Sequence, residues 1–240
     1  MKGLIIIPTY NEANNIKNLI PIVLKQDRNI DVLVVDDNSP DKTASVVKGI
    51  MKNNKRVFIL ERKKKEGLGR AYIAGFKWAL QSKKKYDYVC EMDADFSHDP
   101  AELPLFIEAL KDGYDAVCGS RYVRGVRVLN WDLKRLFLSI CGNIYARLAT
   151  GVKLTDLTGG YNCYSRKVLE SLNLDKISSN GYSFQIEMKA KTIYKGYKIK
   201  EVPIVFRDRF EGSTKMSGGI INEALYKCWK IRFDKWFKRL

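Results

Sequence analysis

The sequence predicts an α/β protein with a mainly parallel central sheet flanked by helices. Short apolar, β-prone runs alternate with longer segments whose apolar residues recur at helical spacing, which is the pattern of a parallel sheet covered on both faces. The chain has 240 residues, of which 45% are hydrophobic and 29% are charged. This size and composition suit one large folded domain or two small ones.

Five strands are predicted in the first half, because five short apolar runs are bounded there by turn-forming residues. They cover residues 4–7, 31–35, 57–60, 88–92 and 114–118, and the first is expected to end in a turn at Pro8. Helices are predicted between the strands. The first carries Ile16, Leu19, Ile20 and Val23 at helical spacing. The other three cover about 43–51, 71–80 and 100–110, and the helix over 71–80 has Ala71, Ala74 and Trp78 on its apolar face.

The fourth predicted strand opens into Asp93-Ala94-Asp95. In an extended segment, side chains at i and i+2 point the same way, so both carboxylates are expected to face one small volume. Two negative charges at such a short distance repel each other unless a cation lies between them. Mg²⁺ is usually held by one or two carboxylates plus substrate phosphates. The spacing therefore favours a site for a metal-bound nucleotide diphosphate, with helix-capping acids as the alternative.

The net charge of +16 is concentrated in the second half, where residues 121–240 carry 24 Lys and Arg against 10 Asp and Glu. This asymmetry fits an anionic membrane surface, a phosphorylated substrate or nucleic acid, and composition does not choose among them. The first residues run directly into a strand-like segment too short for a secretory signal. No apolar run approaches the roughly 18 residues that span a bilayer.

The five cysteines are scattered and never form a Cys-x-x-Cys pair, which argues against a disulfide framework and a zinc site. They are expected to be reduced, mostly core thiols of a cytosolic protein. No dinucleotide fingerprint or Walker loop is present, since Tyr72 stands where a third glycine would follow Gly67-Leu68-Gly69. A nucleotide is therefore expected to be held by carboxylates and a metal.

Five motifs occur in order along the chain: Pro8-Thr9-Tyr10-Asn11-Glu12, Val34-Val35-Asp36-Asp37-Asn38-Ser39-Pro40-Asp41, Gly67-Leu68-Gly69, Met92-Asp93-Ala94-Asp95-Phe96-Ser97-His98 and Gly119-Ser120-Arg121-Tyr122. In order and rough spacing they resemble the dolichol-phosphate mannose synthase family, and the likeness runs from residue 3 to about residue 219. Those enzymes are inverting transferases with the glycosyltransferase A fold. The resemblance implies that fold here, with Mg²⁺ or Mn²⁺ as cofactor.

The resemblance also implies a donor site and a metal site. Donor contacts are expected from Pro8, Tyr10, Glu12, Val35, Asp37, Asp93, Ala94, Asp95, Arg209 and Lys215. The metal and the leaving diphosphate are expected at Asp93, Asp95 and Ser97. An acid at a strand end can accept hydrogen bonds from ribose or base groups. For Asp36 and Asp37, turn chemistry with Asn38, Ser39 and Pro40 is the alternative.

An amphipathic helix opens at Trp131 and carries Arg135 and Ser139 on one face. Similar enzymes use matching residues to grip the phosphate of a polyprenyl phosphate, which implies that role for Arg121, Arg135 and Ser139. An arginine fork suits phosphate better than lysine does. Without the resemblance, Arg135 would be interpreted as an exposed helix charge. The expected catalytic residues are Asp95, Arg121 and Arg135.

Further segments of the second half resemble parts of the family's donor pocket. Residues 155–164 resemble the strand near the sugar, and residues 181–188 the helix that closes the pocket. Asp156, Gln185 and Glu187 are candidate contacts for sugar hydroxyls, or alternatively cap a helix or pair with lysines. Residues 202–215 are expected to form a strand and a loop that folds over the donor. Gly212, Gly218 and Gly219 are expected to give the backbone of this loop the conformational freedom to close. A solvated surface loop is the alternative.

Two regions are expected: a glycosyltransferase catalytic domain over residues 1–220 and a basic amphipathic helix over residues 221–240. The helix carries an aromatic stripe of Trp229, Phe233 and Trp236 with Leu240, flanked by lysines and arginines. This pattern suits an anionic membrane surface, and packing on the domain or binding a membrane partner subunit are alternatives. The protein is expected to be cytoplasmic and peripheral on the membrane.

The expected activity is metal-dependent, inverting transfer of mannose from GDP-mannose to a polyprenyl or dolichyl monophosphate. A transferase of UDP-glucose or another nucleotide sugar to a lipid phosphate or a polysaccharide is the closest alternative. A nucleic-acid-binding protein is the alternative from another class. It leaves the strand-end acids unexplained and lacks a ribonucleoprotein motif, so no nucleic acid partner is expected.

Overall fold

The computed structural model describes residues 1–177, 179–208 and 218–237, with the backbone alone for residues 218–224. Its strands are β1 (Gly3–Thr9), β2 (Ile30–Asp36), β3 (Val57–Glu61), β4 (Tyr88–Glu91), β5 (Ala116–Ser120), β6 (Val128–Leu129), β7 (Asn162–Ser165), β8 (Ile199–Pro203) and β9 (Phe206–Arg207). Seven form one sheet in the order β3-β2-β1-β4-β7-β5-β8, and β6 pairs with β9 in a small separate ribbon. Only β7 runs antiparallel to its neighbours, so the sheet is mainly parallel, as predicted.

The helices fill the connections between these strands. They are α1 (Ala13–Gln26), α2 (Thr43–Asn53), α3 (Leu68–Gln81), α4 (Leu103–Lys111), α5 (Leu133–Thr150), α6 (Arg166–Ser171), α7 (Gly181–Tyr194) and α8 (Gly218–Trp236). Short 3₁₀ turns cover Pro100–Glu102 and Leu174–Lys176. No helix in the described part of the chain is long and apolar enough to cross a membrane.

The sheet is buried on both faces, which is why its strands are continuous apolar runs. In β1, Ile5 and Ile7 pack into one cluster, which α1, α2 and α4 cover. Leu4 and Ile6 point the other way into a second cluster under α3, α6 and α7. A third cluster joins α5, α7 and α8. The three clusters hold the carboxyl ends of the parallel strands at one edge of the sheet.

The turn predicted at Pro8 is wrong. Strand β1 continues through Pro8, which pairs with Val35, to Thr9. The pairing of β1 with β4 stops at Ile6, so this end of the strand has a neighbour on one side only. A proline, which lacks the N–H donor, is tolerated where ladder hydrogen bonds are needed on one side alone.

The apolar face predicted for the third helix is confirmed in part, since Ala71 is buried in the second cluster and Trp78 packs against it. Helix α3 begins at Leu68, and its buried side chains include Tyr72, Phe76 and Ala79, whereas Ala74 and Trp78 are only half-buried. Gly75 brings the helix close to the sheet, because a Cβ there would lie 2.7 Å from Ile6 Cδ1. The small residue permits a contact that the apolar pattern does not reveal.

The five cysteines are unpaired thiols, four of them buried and Cys141 exposed, as expected. Helix α8 begins at Gly218, three residues before the expected boundary, so Gly218 and Gly219 belong to a helix and not to a loop. Cys228 and Ile231 pack against α5 and α7, whereas Trp236 is 60% exposed. The division into two regions stays a prediction.

Candidate active site

Two neighbouring acids follow β2 and have different environments. Asp36 accepts hydrogen bonds from Thr9 Oγ1 at 2.8 Å and from Ser39 Oγ at 2.6 Å. Its carboxylate therefore fixes the turn, which was the alternative interpretation of the sequence. Asp37 Oδ1 lies 3.0 Å from Arg62 Nη1. Burial raises the pKa of Asp37, and the charge of Arg62 opposes that rise.

The expected nucleotide contacts after β1 lie on an accessible rim. Tyr10 is 39% exposed, and Lys65 Nζ lies 3.9 Å from the centroid of its ring. Glu12 accepts a hydrogen bond from Asn15 Nδ2 at 2.8 Å. Pro8 is half-buried at the end of the strand. These three residues adjoin the Asp36 turn, because Asn11 N donates to Ser39 Oγ.

Two other expected donor contacts have buried side chains. Val35 is fully buried in the second cluster, and Ala94 is 5% exposed at the margin of the first. The Val35 side chain therefore belongs to the core. A nucleotide contact at this position would have to come from the backbone.

Asp93 and Asp95 lie in a loop, because β4 ends at Glu91. The two acids therefore lie where the strand opens into a loop, as predicted, and the chain bends over residues 94–98. Phe96 has φ 61°, a left-handed conformation that is uncommon for a bulky side chain. Within this bend, Ser97 N donates to Asp95 Oδ1 at 3.1 Å. Such backbone strain concentrates at functional sites.

Asp93 is held by two aromatic side chains. Tyr72 Oη donates to Asp93 Oδ1 at 3.3 Å, and the Asp93 backbone N–H donates to His98 Nδ1 at 3.1 Å. His98 Nε2 lies 4.0 Å from Asp93 Oδ2. Burial lowers the pKa of His98, although Asp93 and Asp95 oppose that shift. The imidazole is therefore neutral at pH 7, with its proton on Nε2, facing Asp93.

The donor set of this loop fits a hard divalent cation. Asp93 and Asp95 supply carboxylate oxygens, and the buried hydroxyl of Ser97 has no hydrogen-bond partner among the described residues. Oxygen ligands are those that Mg²⁺ and Mn²⁺ prefer. In the described ranges, no group of three or more His, Cys, Asp or Glu side chains is arranged to hold a metal. A cation here would depend on ligand oxygens to complete its shell.

Arg121, which follows β5, is buried and bound to a carboxylate. Its Nε lies 2.6 Å from Asp156 Oδ2 and its Nη2 lies 2.7 Å from Asp156 Oδ1. Nη2 also donates to Thr158 Oγ1 at 2.8 Å. Burial by itself would raise the pKa of Asp156, but the charge and hydrogen bonds of Arg121 lower it to about 2. Both groups are charged at neutral pH.

Arg135 and Ser139 both point toward the Arg121 region. Arg135 Nη1 lies 2.5 Å from Asp208 Oδ2, and its guanidinium lies 4.3 Å from the centroid of the Trp131 ring. The Arg121 guanidinium lies 5.5 Å from the same centroid. Ser139 Oγ is 2.7 Å from the hydroxyl of Tyr122, the residue after Arg121. The structure therefore brings together the three residues expected to hold the acceptor phosphate.

The arginine cluster adjoins the loop that carries Asp93 and Asp95. Phe206 lies 5.8 Å from His98 and 5.5 Å from Trp131 between ring centroids. The carboxylates and the guanidinium groups are thus separated by a thin aromatic layer. One end of the sheet presents a place for a cation beside a place for an anion.

Of the three candidate sugar contacts, two are engaged elsewhere. Asp156 is fully buried against Arg121, and Glu187 forms an ion pair with Lys191 at 2.7 Å. Gln185 faces the Asp93 loop. A Cβ built on Gly160 would lie 3.7 Å from Gln185 Nε2 and 4.0 Å from Asp93 Oδ2. The small residue keeps this space open.

A buried polar chain orients Gln185. Asn162 Nδ2 donates to Gln185 Oε1 at 2.8 Å and to Glu91 Oε2 at 2.9 Å. Burial raises the pKa of Glu91 to about 8. Arg209 and Lys215, with the loop expected to fold over the donor, lie outside the described residues.

A comparison with protein-family models places the chain in a known family. The model described as glycosyl transferase family 2 matches residues 4–172. The chain belongs to that family. Similar proteins include a polyprenol monophosphomannose synthase from Mycolicibacterium smegmatis, 44% identical over 96% of this chain and 88% of the relative. An undecaprenyl-phosphate mannosyltransferase from Micrococcus luteus is 44% identical over 94% of this chain and 91% of the relative.

Solved structures confirm the glycosyltransferase A fold of this family 2 glycosyltransferase. Glucosyl-3-phosphoglycerate synthase from Mycobacterium tuberculosis, with Mn²⁺, UDP and phosphoglyceric acid, matches with TM-score 0.68 and 19% identity over 95% of this chain and 78% of its own. A mannosyltransferase from Pyrobaculum calidifontis, with GDP-Man and Mn²⁺, matches with TM-score 0.61 and 18% identity over 98% and 73%. The resemblance to dolichol-phosphate mannose synthases is confirmed at the family level.

Three residues of the candidate site were not given their observed contacts by the sequence analysis. His98 is the one histidine of the chain and directly follows the acidic motif, which was an available signal. Trp131 precedes the Arg135 helix but carried no chemical signal of its own. Asp156 was a candidate contact for a sugar hydroxyl, with helix capping or a lysine partner as alternatives, and its pairing with Arg121 spans 35 residues.

Proposed function

We propose that this family 2 glycosyltransferase transfers mannose from GDP-mannose to a polyprenyl or dolichyl monophosphate, with inversion at the anomeric carbon. The observation that carries the proposal is the closeness of the carboxylate loop at Asp93 to the arginine cluster at Arg121 and Arg135, through His98 and Phe206. The transfer requires both sites side by side. Two relatives at 44% identity are named for mannosyl transfer involving polyprenyl phosphates.

The donor nucleotide is proposed to lie along the ends of β1 and β2. Tyr10 offers a ring to the base, while Glu12 and Asp37 offer oxygens to ribose or base N–H groups. Asp93, Asp95 and Ser97 would hold Mg²⁺ or Mn²⁺, which when bound neutralises charge on the diphosphate. Arg209 and Lys215 are proposed as further diphosphate contacts. His98 and Tyr72 keep Asp93 oriented.

The acceptor phosphate is proposed to be the nucleophile. The second pKa of a phosphate monoester is about 6, so the group is largely a dianion at neutral pH and needs no protein base. Arg121 and Arg135 would aim its oxygen at the anomeric carbon, and Ser139 would add a hydrogen bond. Catalysis then consists of positioning and charge stabilisation. Attack opposite the leaving diphosphate inverts the anomeric centre.

The sugar is proposed to occupy the space that Gly160 leaves open. Gln185 is the best placed of the three candidates to bind a sugar hydroxyl, because Asp156 and Glu187 are held in ion pairs. Asn162 fixes its side chain from behind. A larger residue at position 160 would fill the space.

The lipid is proposed to reach the site from a cytoplasmic membrane surface to which the protein binds peripherally. The helix that carries Arg135 also exposes an apolar stripe, formed by Leu133, Phe137, Cys141, Ile144 and Leu148. Exposed aromatic residues on α8 and the basic charge of the second half suit an anionic interface. No finding supports the membrane partner subunit that the sequence left open.

The test is transfer to lipid in a defined mixture. Purified protein receives Mg²⁺ or Mn²⁺, a short polyprenyl phosphate and one of a panel of radiolabelled sugar nucleotides, and label is counted in the organic phase. We expect label from GDP-mannose. Transfer from UDP-glucose alone would favour the closest alternative. Absence of any transfer, together with tight RNA binding at matched salt, would favour the nucleic-acid alternative.

A further inference from the structure

We propose that the indole N–H of Trp131 donates a hydrogen bond to the acceptor phosphate, as a binding residue beside Arg121 and Arg135. This inference rests on the proposed function, since it assumes that a phosphate monoester binds at the arginine cluster. It assigns a third kind of donor to the phosphate.

The first observation is an unsatisfied donor. Trp131 Nε1 is buried and has no hydrogen-bond partner among the residues that the structure describes. Buried polar atoms in folded proteins are nearly always paired, and a tryptophan N–H usually finds a partner. A carboxylate lies close by, since Asp208 binds Arg135, yet no hydrogen bond joins it to the indole. The N–H therefore has no partner in the described part of the protein, and we assign it to the acceptor phosphate.

The second observation is the charge around the ring. The guanidinium carbons of Arg121 and Arg135 lie 5.5 Å and 4.3 Å from the centroid of the indole. Cations are attracted to the negative face of an aromatic ring, whereas its positive edge, which includes the N–H, attracts anions. An anion that contacts both arginines therefore lies next to the Trp131 ring.

The third observation is that most hydrogen-bond donors of Arg121 are already used within the protein. Its Nε and Nη2 bind Asp156 and Thr158, which leaves Nη1 as the group that these two partners do not use. A phosphate monoester presents three terminal oxygens and needs several donors. Because Arg121 keeps one amino group for a ligand, the indole would supplement the donors of Arg135 and Ser139 without an added charge.

The decisive variant is Trp131→Phe, which keeps an aromatic face for both guanidinium groups but removes the N–H together with one ring of the indole. We expect the KM for a short polyprenyl phosphate to rise about tenfold, equivalent to 1.4 kcal/mol, with the KM for GDP-mannose unchanged. The matched control is Trp78→Phe, because the ring of Trp78 packs on Phe58 and Tyr86, away from the arginine cluster. The control is expected to behave as wild type.

A second measurement uses the unmodified protein and does not depend on the folding of a variant. In a ¹H–¹⁵N spectrum, the indole signal absent from Trp131→Phe is expected to move downfield as polyprenyl phosphate is added, and to stay in place with polyprenol. Wild-type acceptor KM in Trp131→Phe, or an unmoved indole signal at saturating acceptor, overturns the inference and leaves the proposed function standing. Failure of the wild type to use any polyprenyl phosphate overturns both.

Discussion

Arg121 and Asp156 form a two-point ion pair in which Nε binds Oδ2 at 2.6 Å and Nη2 binds Oδ1 at 2.7 Å. Both side chains are buried, with 5% and 0% of their surfaces exposed. A buried arginine is tolerable only with such a partner. The pair fixes the direction in which the remaining edge of the guanidinium points, and so ties the orientation of Arg121 to the segment before β7.

Asp156→Asn should lower both stability and acceptor binding. The substitution keeps the shape but removes the charge, leaving Arg121 buried without a counterion, which typically costs about 3–5 kcal/mol. Urea unfolding measures the loss, and the KM for polyprenyl phosphate should rise in parallel. The control is Glu170→Gln, which breaks the exposed Arg166–Glu170 pair and should change the free energy of unfolding by less than about 1 kcal/mol. Equal effects of the two variants would contradict the role given to the buried pair.

Arg135→Lys should weaken acceptor binding selectively. Lysine keeps the charge but cannot present two parallel N–H groups to a phosphate. Hydrogen bonds to charged groups contribute about 1.5–3 kcal/mol, so the acceptor KM should rise about 10- to 100-fold while donor KM stays constant. Arg147→Lys, at an exposed position of the same helix, serves as control. An equal rise in both KM values would count against an acceptor role.

Asp95→Asn should remove the metal dependence of donor binding. Titration of GDP with and without Mn²⁺, followed by calorimetry, should show at least about tenfold weaker Mn²⁺-dependent binding, since even supporting residues of metal sites have effects of that size. Asp99→Asn is the matched control, because Asp99 caps the next 3₁₀ turn through Ala101 N and asparagine caps equally well. Unchanged Mn²⁺ dependence would exclude Asp95 as a ligand.

Replacing Phe233 and Trp236 by serine should reduce binding to anionic vesicles. These side chains are 45% and 60% exposed, and burying a large apolar side chain in a lipid interface gains about 1.5–3 kcal/mol. Cosedimentation at low salt should show at least about tenfold weaker partitioning. Leu105→Ser removes a side chain of similar exposure, 46%, from α4 and should have no effect. Equal partitioning of all three proteins would return α8 to a purely structural role.

Ionisation of Glu102 should lower the stability of the folded protein as pH rises from 5 to 8. Burial raises its pKa to about 7 from an ordinary value near 4.5, although the hydrogen bond from Val205 N opposes this shift. At a pH between these two pKa values, Glu102 has lost its proton in the unfolded chain but keeps it in the folded protein. Its contribution to the free energy of unfolding is therefore complete below the lower pKa and is lost as pH rises through the upper pKa. Glu102→Gln should flatten the change in Tm between pH 5 and pH 8. Parallel Tm curves for variant and wild type would show that Glu102 titrates normally.

Much of the fold followed from local pattern. The strands that contain Ile5, Val34 and Val89 are apolar runs because both faces of the sheet are covered, and such runs can be read without tertiary information. Pro8 and Ala74 were misassigned because their environments depend on where a neighbouring strand stops and how closely a helix approaches. These are properties of pairing and packing.

The candidate site divides in the same way. The sequence by itself determined that Asp93 and Asp95 follow a buried strand and that Arg135 and Ser139 share a helix face, since neighbours along the chain are constrained by local geometry.

Only the tertiary structure decided that Asp156 forms an ion pair with Arg121 and that Asn162 orients Gln185. It also decided that two arginines lie over the ring of Trp131. These partners are brought together from separate strands and helices by burial of the core. The free energy of that burial is shared by the whole chain, so no short stretch of sequence encodes the contacts it creates.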